Sequence, residues 1–197
     1  MKKVNAFLLR LLRYKIDTKN VPTEAKKCVL LFAPHTSMLD FVIGKMALTA
    51  MGVKTLFIIK KEAFFFPLGL LLKALGGVPL DRKHAGRFHL YAAELIKVRE
   101  EVALLIAPEG TRNRNPRWKK GFYSIAQEAG VPIALGYLDY RSRKGGIGKM
   151  FYPTSDYDKD LATIKMFYHG MRGRYKGHFD LEDLPYSHPE WLENHEK

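Results

Sequence analysis

From residue 28 onward the chain alternates short apolar runs with stretches whose apolar residues recur every three or four positions. Residues 28–32, 55–59, 78–80, 102–106 and 131–138 read as strands. Between them, residues 39–51 and the sets Phe88, Tyr91, Ala92, Leu95 and Phe122, Ile125, Ala126, Ala129 have helical spacing, and Gly130 followed by Val131 and Pro132 stops the last helix. Strands that alternate with helices predict an α/β fold, a single domain with a largely parallel sheet flanked by helices. With no internal repeat or linker, one domain is expected over residues 1–197. It comprises an N-terminal helix within 1–20, a core over 28–140 and an acidic tail over 177–197.

The first segment adds a basic amphipathic helix. Val4, Phe7, Leu8, Leu11 and Leu12 fall on one side, and Lys2, Lys3, Arg10 and Arg13 on the other. Two readings stay open: a helix lying in a membrane surface, and an ordinary helix packed on the domain. Arg10 and Arg13 break any signal-peptide core, and no small-residue cleavage site follows, so export is not expected. Residues 63–80 are apolar enough to suggest a span, yet contain Pro67, Lys73 and Pro79. A Lys near the middle costs about 3 kcal/mol on insertion, so this segment is expected to be buried or interfacial.

Charge narrows the partners. Lys and Arg number 33 against 20 Asp and Glu, a formal net charge of +13, which calls for an anionic partner such as a lipid headgroup, a phosphorylated substrate or nucleic acid. The single cysteine, Cys28, forms no internal disulfide and reads as a small core residue. No Cys/His spacing suited to zinc occurs, so no metal is expected.

In a parallel α/β sheet, chemistry belongs where strands end and helices begin. Three such places are polar. After the first strand comes His35-Thr36-Ser37-Met38-Leu39-Asp40, where a carboxylate five residues beyond an imidazole can orient it and leave its other nitrogen as a base near neutral pH. Asp40 also completes a helix-capping pattern with Ser37, a role compatible with the first. His178 and Asp183 share the spacing but have no strand before them. The second place is Asp81-Arg82, an Arg suited to a phosphate clamp or to a salt bridge with Asp81 or Glu62. The third is Pro108-Glu109-Gly110-Thr111-Arg112, where a glycine permits close approach and a guanidinium suits phosphate or carboxylate. The basic run after it carries Trp118, a residue for a membrane interface or for packing.

Taken together and in order, these segments resemble the glycerolipid acyltransferase family, which includes lysophosphatidic acid and glycerol-3-phosphate acyltransferases. His35 through Asp40 looks like its His-x-x-x-x-Asp block, and Gly77 through Arg82 like its second block. Pro108 through Arg112 matches its third, and Val131-Pro132-Ile133 the start of its fourth. The likeness spans about residues 28–140 and departs from the usual pattern at Pro34, Asn113 and residues 134–136.

The resemblance implies an O-acyltransferase that moves a fatty acyl group from an acyl thioester to a lysophospholipid hydroxyl, foremost 1-acylglycerol-3-phosphate, giving phosphatidic acid. His35 would act as general base oriented by Asp40. Arg82, Glu109, Gly110, Thr111 and Arg112 would bind the acceptor, and residues 64–75 would help form an acyl groove or pack in the core. No cofactor is implied, acyl-CoA or acyl-carrier protein serving as co-substrate. The expected partners are the lysophospholipid, the thioester donor, an acyl-carrier protein where that is the donor, and an anionic membrane surface, with no nucleic acid. The expected location is peripheral, on the cytoplasmic face of the membrane. The alternatives are another acceptor, such as a lyso-aminolipid or a lipid A precursor, and a non-catalytic basic module that binds membrane or nucleic acid.

Overall fold

The computed structural model describes residues 1–18, 21–80 and 87–181. Seven strands form one sheet: β1 (Lys15–Ile16), β2 (Lys27–Ala33), β3 (Thr55–Lys60), β4 (Gly77–Leu80), β5 (Val102–Ile106), β6 (Ile133–Asp139) and β7 (Lys144–Phe151). Their order is β1-β7-β6-β2-β5-β3-β4. The five strands from β6 to β4 are mutually parallel, and β7 runs antiparallel to β6. The expected α/β architecture with a largely parallel sheet is therefore present.

Strand β2 is central because its sequence is apolar at every position beyond Lys27, which suits a strand covered on both faces. Val29, Leu31 and Ala33 point to one side, where α4 (Phe88–Lys97), α5 (Gly121–Ala129) and α6 (Tyr157–Tyr168) pack. Cys28, Leu30 and Phe32 point to the other, against α1 (Lys2–Leu11) and α2 (Met38–Met51). Cys28 is fully buried, and burial pushes its thiol up to about 12, as befits a core residue. Gly130 ends α5 in the left-handed region at φ 66°, the expected stop.

Three details differ from the sequence expectations. Helix α1 docks on α2 through Leu9, which is 1% exposed, while Val4, Phe7, Leu8 and Leu11 remain exposed; the apolar stripe is not the docking face. The helix stops at Leu11, and Arg13 at φ 60° turns the chain into β1. In α4 the buried face is Ala92, Ala93 and Ile96, with Tyr91 half exposed, because small residues let the helix approach the sheet and α5. The apolar segment 63–80 divides into α3 (Leu68–Ala74) and β4, and no helix among the described residues is long and apolar enough to cross a membrane. Pro67 caps α3, and Gly76 at φ 95° breaks it from β4. Strands β1 and β7 and helix α6 are additions for which no element was read in the sequence.

Candidate active site

Because β6, β2, β5 and β3 are adjacent and parallel, the turns at their carboxyl ends meet on one edge of the sheet. His35 lies in the turn between β2 and α2. Ser37 caps α2 through its Oγ, which accepts from the Leu39 amide at 3.1 Å, and Asp40 completes the capping box. Asp40 is fully buried. Its Oδ2 accepts from the Thr36 and Ser37 amides at 2.6 and 2.7 Å, and its Oδ1 from the Tyr140 hydroxyl at 2.6 Å. Burial, reinforced by the neighbouring carboxylate, pushes the Tyr140 phenol far up, so Tyr140 stays a donor.

The His35 Nδ1 stands 3.8 Å from Asp40 Oδ2, an ion-pair separation beyond hydrogen-bond reach. The contact is electrostatic and not a hydrogen bond, since the two turn amides already occupy Oδ2. Burial is the main influence on the imidazole and pulls it below its ordinary value; Asp40 opposes this and Arg112 adds to it. The net direction keeps His35 neutral near pH 7, the form a base requires.

The loop after β5 brings Glu109 beneath the same turn. Its Oε1 accepts from the His35 amide at 3.0 Å, and its Oε2 is buried without a hydrogen-bond partner. Only 3% exposed, the carboxyl is pushed up to about 7, chiefly by burial. Gly110 follows at φ 66°, and a Cβ there would come within 2.9 Å of the Lys119 stem. Glycine therefore serves both the turn and the approach of Lys119.

His35 borders two cavities. One of about 290 Å³ is almost wholly apolar, lined by Phe32, Met38, Phe41, Gly44, Phe57 and Leu72 among others. The second, about 750 Å³, is lined largely by apolar residues such as Ile58, Leu80 and Phe122, and also carries Gly110, Thr111 and the two cations Arg112 and Lys119. The imidazole stands where the smaller apolar chamber meets a larger one that carries two cations. Of the apolar segment 64–75, Leu72 lines the first cavity, while Phe65, Phe66, Leu70 and Leu71 are exposed, so the segment as a whole is not core packing.

The structure brings His35, Asp40, Glu109, Gly110, Thr111 and Arg112 together, while Arg82 lies outside the described residues. Trp118 is 7% exposed and packs edge-on against Tyr168, which rules it out as an interfacial anchor. Sequence reasoning missed Tyr140, although it directly follows β6 on the functional edge of the sheet. It also missed a strap after α6. The Arg174 amide donates to Thr36 Oγ1 at 2.9 Å, Arg114 pairs with Asp180, and His178 Nδ1 lies 3.1 Å from the Arg112 carbonyl. No element period marks that strap.

A half-buried imidazole whose shift favours the neutral form thus lies beside a buried carboxylate, between an apolar cavity and one that carries Arg112 and Lys119. The chain belongs to the acyltransferase family, whose model matches residues 14–134. It is similar to the human 1-acyl-sn-glycerol-3-phosphate acyltransferase beta, 33% identical over 62% of this chain and 45% of that protein. It is 30% identical to the Brassica napus chloroplastic 1-acyl-sn-glycerol-3-phosphate acyltransferase BAT2, over 61% of this chain and 36% of the relative. A 1-acyl-sn-glycerol-3-phosphate acyltransferase from Limnanthes douglasii is 32% identical over 61% and 44%. The chain thus spans less than half the length of these relatives. No solved structure matches it closely.

Proposed function

We propose that the protein transfers a fatty acyl group from an acyl thioester to the free hydroxyl of 1-acylglycerol-3-phosphate, giving phosphatidic acid. The observation that carries this reading is the position of His35 where the apolar chamber meets the one that carries Arg112 and Lys119. Neutral His35 takes the hydroxyl proton as the oxygen attacks the thioester carbon. The tetrahedral intermediate then expels the thiolate, which takes that proton, leaving an ester and a free thiol. Asp40 stabilises the imidazolium, and Tyr140 with the turn amides fixes Asp40.

Arg112, with Gly110, Thr111 and Lys119, is assigned to the acceptor phosphate, together with Arg82. Glu109, whose carboxyl faces the His35 amide, contributes from behind that wall by holding the turn. The balanced equation requires no metal or prosthetic group. Attachment is proposed as peripheral, on the cytoplasmic face of the membrane. The exposed Val4, Phe7 and Leu11 of α1, Phe65 and Phe66, and Leu70 and Leu71 of α3 support it, together with the net charge.

The test is acceptor-dependent thiol release from acyl-CoA and discharge of acyl-carrier protein by the full chain. Lysophosphatidic acid should drive release, and a lyso-aminolipid or a lipid A precursor should not. Release with one of those acceptors alone would reassign the acceptor, and no release with any would overturn the reaction.

The apolar cavity is proposed to hold the acyl chain. Leu72→Trp should lower turnover of long-chain donors relative to short ones by about tenfold or more. Leu70→Trp, on the 64% exposed neighbour, should leave the chain-length profile in place. An unshifted profile in Leu72→Trp would count against the cavity.

A further inference from the structure

A third cavity, of about 460 Å³, opens between the turn after β6 and the strap after α6. It is lined by Tyr140, Arg141, Arg172, Arg174, Lys176 and Phe179 among others. Among the described residues, none of its four cations has a carboxylate within ion-pair distance. The nearby acids are already engaged. Asp180 pairs with Arg114, Asp40 holds the Tyr140 hydroxyl, and Asp139 spends its oxygens on amides and a hydroxyl. Four cations with no carboxylate partner among the described residues, set around one concavity, repel one another and form a site for an anion.

The backbone that carries them is tied down. Asp139, 7% exposed, accepts from the Arg141 and Arg172 amides through the same Oδ1, at 3.1 and 2.9 Å. Its Oδ2 accepts from the Ser142 amide and hydroxyl. The Tyr140 amide donates to the Arg172 carbonyl at 2.9 Å, and the Arg174 amide to Thr36 Oγ1. One buried carboxylate thus staples the turn to the strap, and the Thr36 hydroxyl separately holds the strap beside His35. Gly173 permits this approach, since a Cβ there would fall 2.4 Å from Thr36 Cγ2.

The reaction says which anion. At the tetrahedral stage the reacting carbon carries, besides the oxyanion, three groups that extend from it in separate directions: the acyl chain, the acceptor oxygen and the sulfur of the carrier. The two chambers at His35 serve the first two. We propose that the Arg141, Arg172, Arg174 and Lys176 cavity binds the phosphate of the donor's phosphopantetheine arm. This group is common to acyl-CoA and acyl-carrier protein, and the inference rests on the thioester reading above. Met171 and Phe179 supply apolar wall beside the cations.

The test uses the full chain, two paired variants (Arg172→Gln with Arg174→Gln, and Arg141→Gln with Lys176→Gln), and Lys54→Gln as control. Lys54 is an exposed cation before β3, at the opposite end of the sheet. The donors are one acyl thioester built on pantetheine and on 4′-phosphopantetheine. The parent should show a KM about tenfold to a hundredfold lower for the phosphorylated donor. Each cavity pair should collapse that ratio to about twofold or less, and Lys54→Gln should keep it.

A ratio that survives in both pairs overturns the proposal. So does a rise in KM confined to lysophosphatidic acid, which would place the lipid headgroup in the cavity. A loss seen with acyl-CoA but not with acyl-carrier protein would assign the nucleotide phosphates instead and likewise overturn it. Calorimetric binding of 4′-phosphopantetheine needs no turnover. Binding at least about tenfold weaker in the cavity pairs supports the site, and equal binding overturns it, so a failed acyl-transfer reading is told apart from a failed anion site.

Discussion

A His35→Ala chain that melts like the parent is expected to lose acyl transfer by about a hundredfold to ten thousandfold, with the loss in kcat rather than in KM. That range corresponds to about 3 to 5 kcal/mol of transition-state stabilisation. In the proposed mechanism the imidazole is the base, and it borders both chambers. Acidity provides a second readout. Burial and Arg112 depress His35 against the pull of Asp40, so the base stays unprotonated down to a pH below the ordinary imidazole value. As pH falls through that depressed value, kcat/KM should drop with the uptake of a proton. A stopped assay of thiol release across pH, in both proteins, checks the prediction, and full activity in the folded variant would remove His35 from the mechanism.

Glu109→Gln is expected to reverse a pH-dependent weakness in the fold. In the folded chain the Glu109 carboxyl titrates at about 7, against an ordinary value of 4.5, because its side chain is buried and Oε2 has no partner. The folded state therefore holds its proton over a range where the unfolded chain has released it. Stability is fully present below the ordinary carboxylate value and is lost as pH rises toward 7. A separation of this size is worth about 3 kcal/mol. Between pH 4.5 and 8 the parent should fall by about 3 kcal/mol relative to the Gln variant, in which the amide oxygen can still accept from the His35 amide. Urea unfolding of both proteins at the two pH values measures the difference. A gap that does not change with pH would mean that Glu109 is ionised in the folded state throughout.

Much of this site was legible because it depends on local sequence. Residues 35–40 combine a strand end, a capping box and a carboxylate on the first turn of a helix, all set by positions within six residues of one another. The turn at Gly110 was equally local. The α4 face was misjudged because spacing alone does not distinguish Tyr91 from Ala93, whereas the sheet and α5 accept small residues at close approach. On α1, periodicity located an apolar stripe correctly but not its surroundings; a single Leu9 between α2 and β6 does the docking.

By itself the sequence determined the α/β alternation, the capped turn with His35 and Asp40, and the loop of Gly110 and Arg112. Each of these follows from periodicity, capping or glycine chemistry over a few neighbouring residues. Tertiary structure decided that Tyr140, one hundred residues on, secures Asp40, that Glu109 turns inward to His35, and that the strap through Arg174 joins the site. Those contacts depend on which strands lie side by side, and on burial that shifts the ionisation of His35 and Glu109. Neither is encoded by the spacing of residues along the chain.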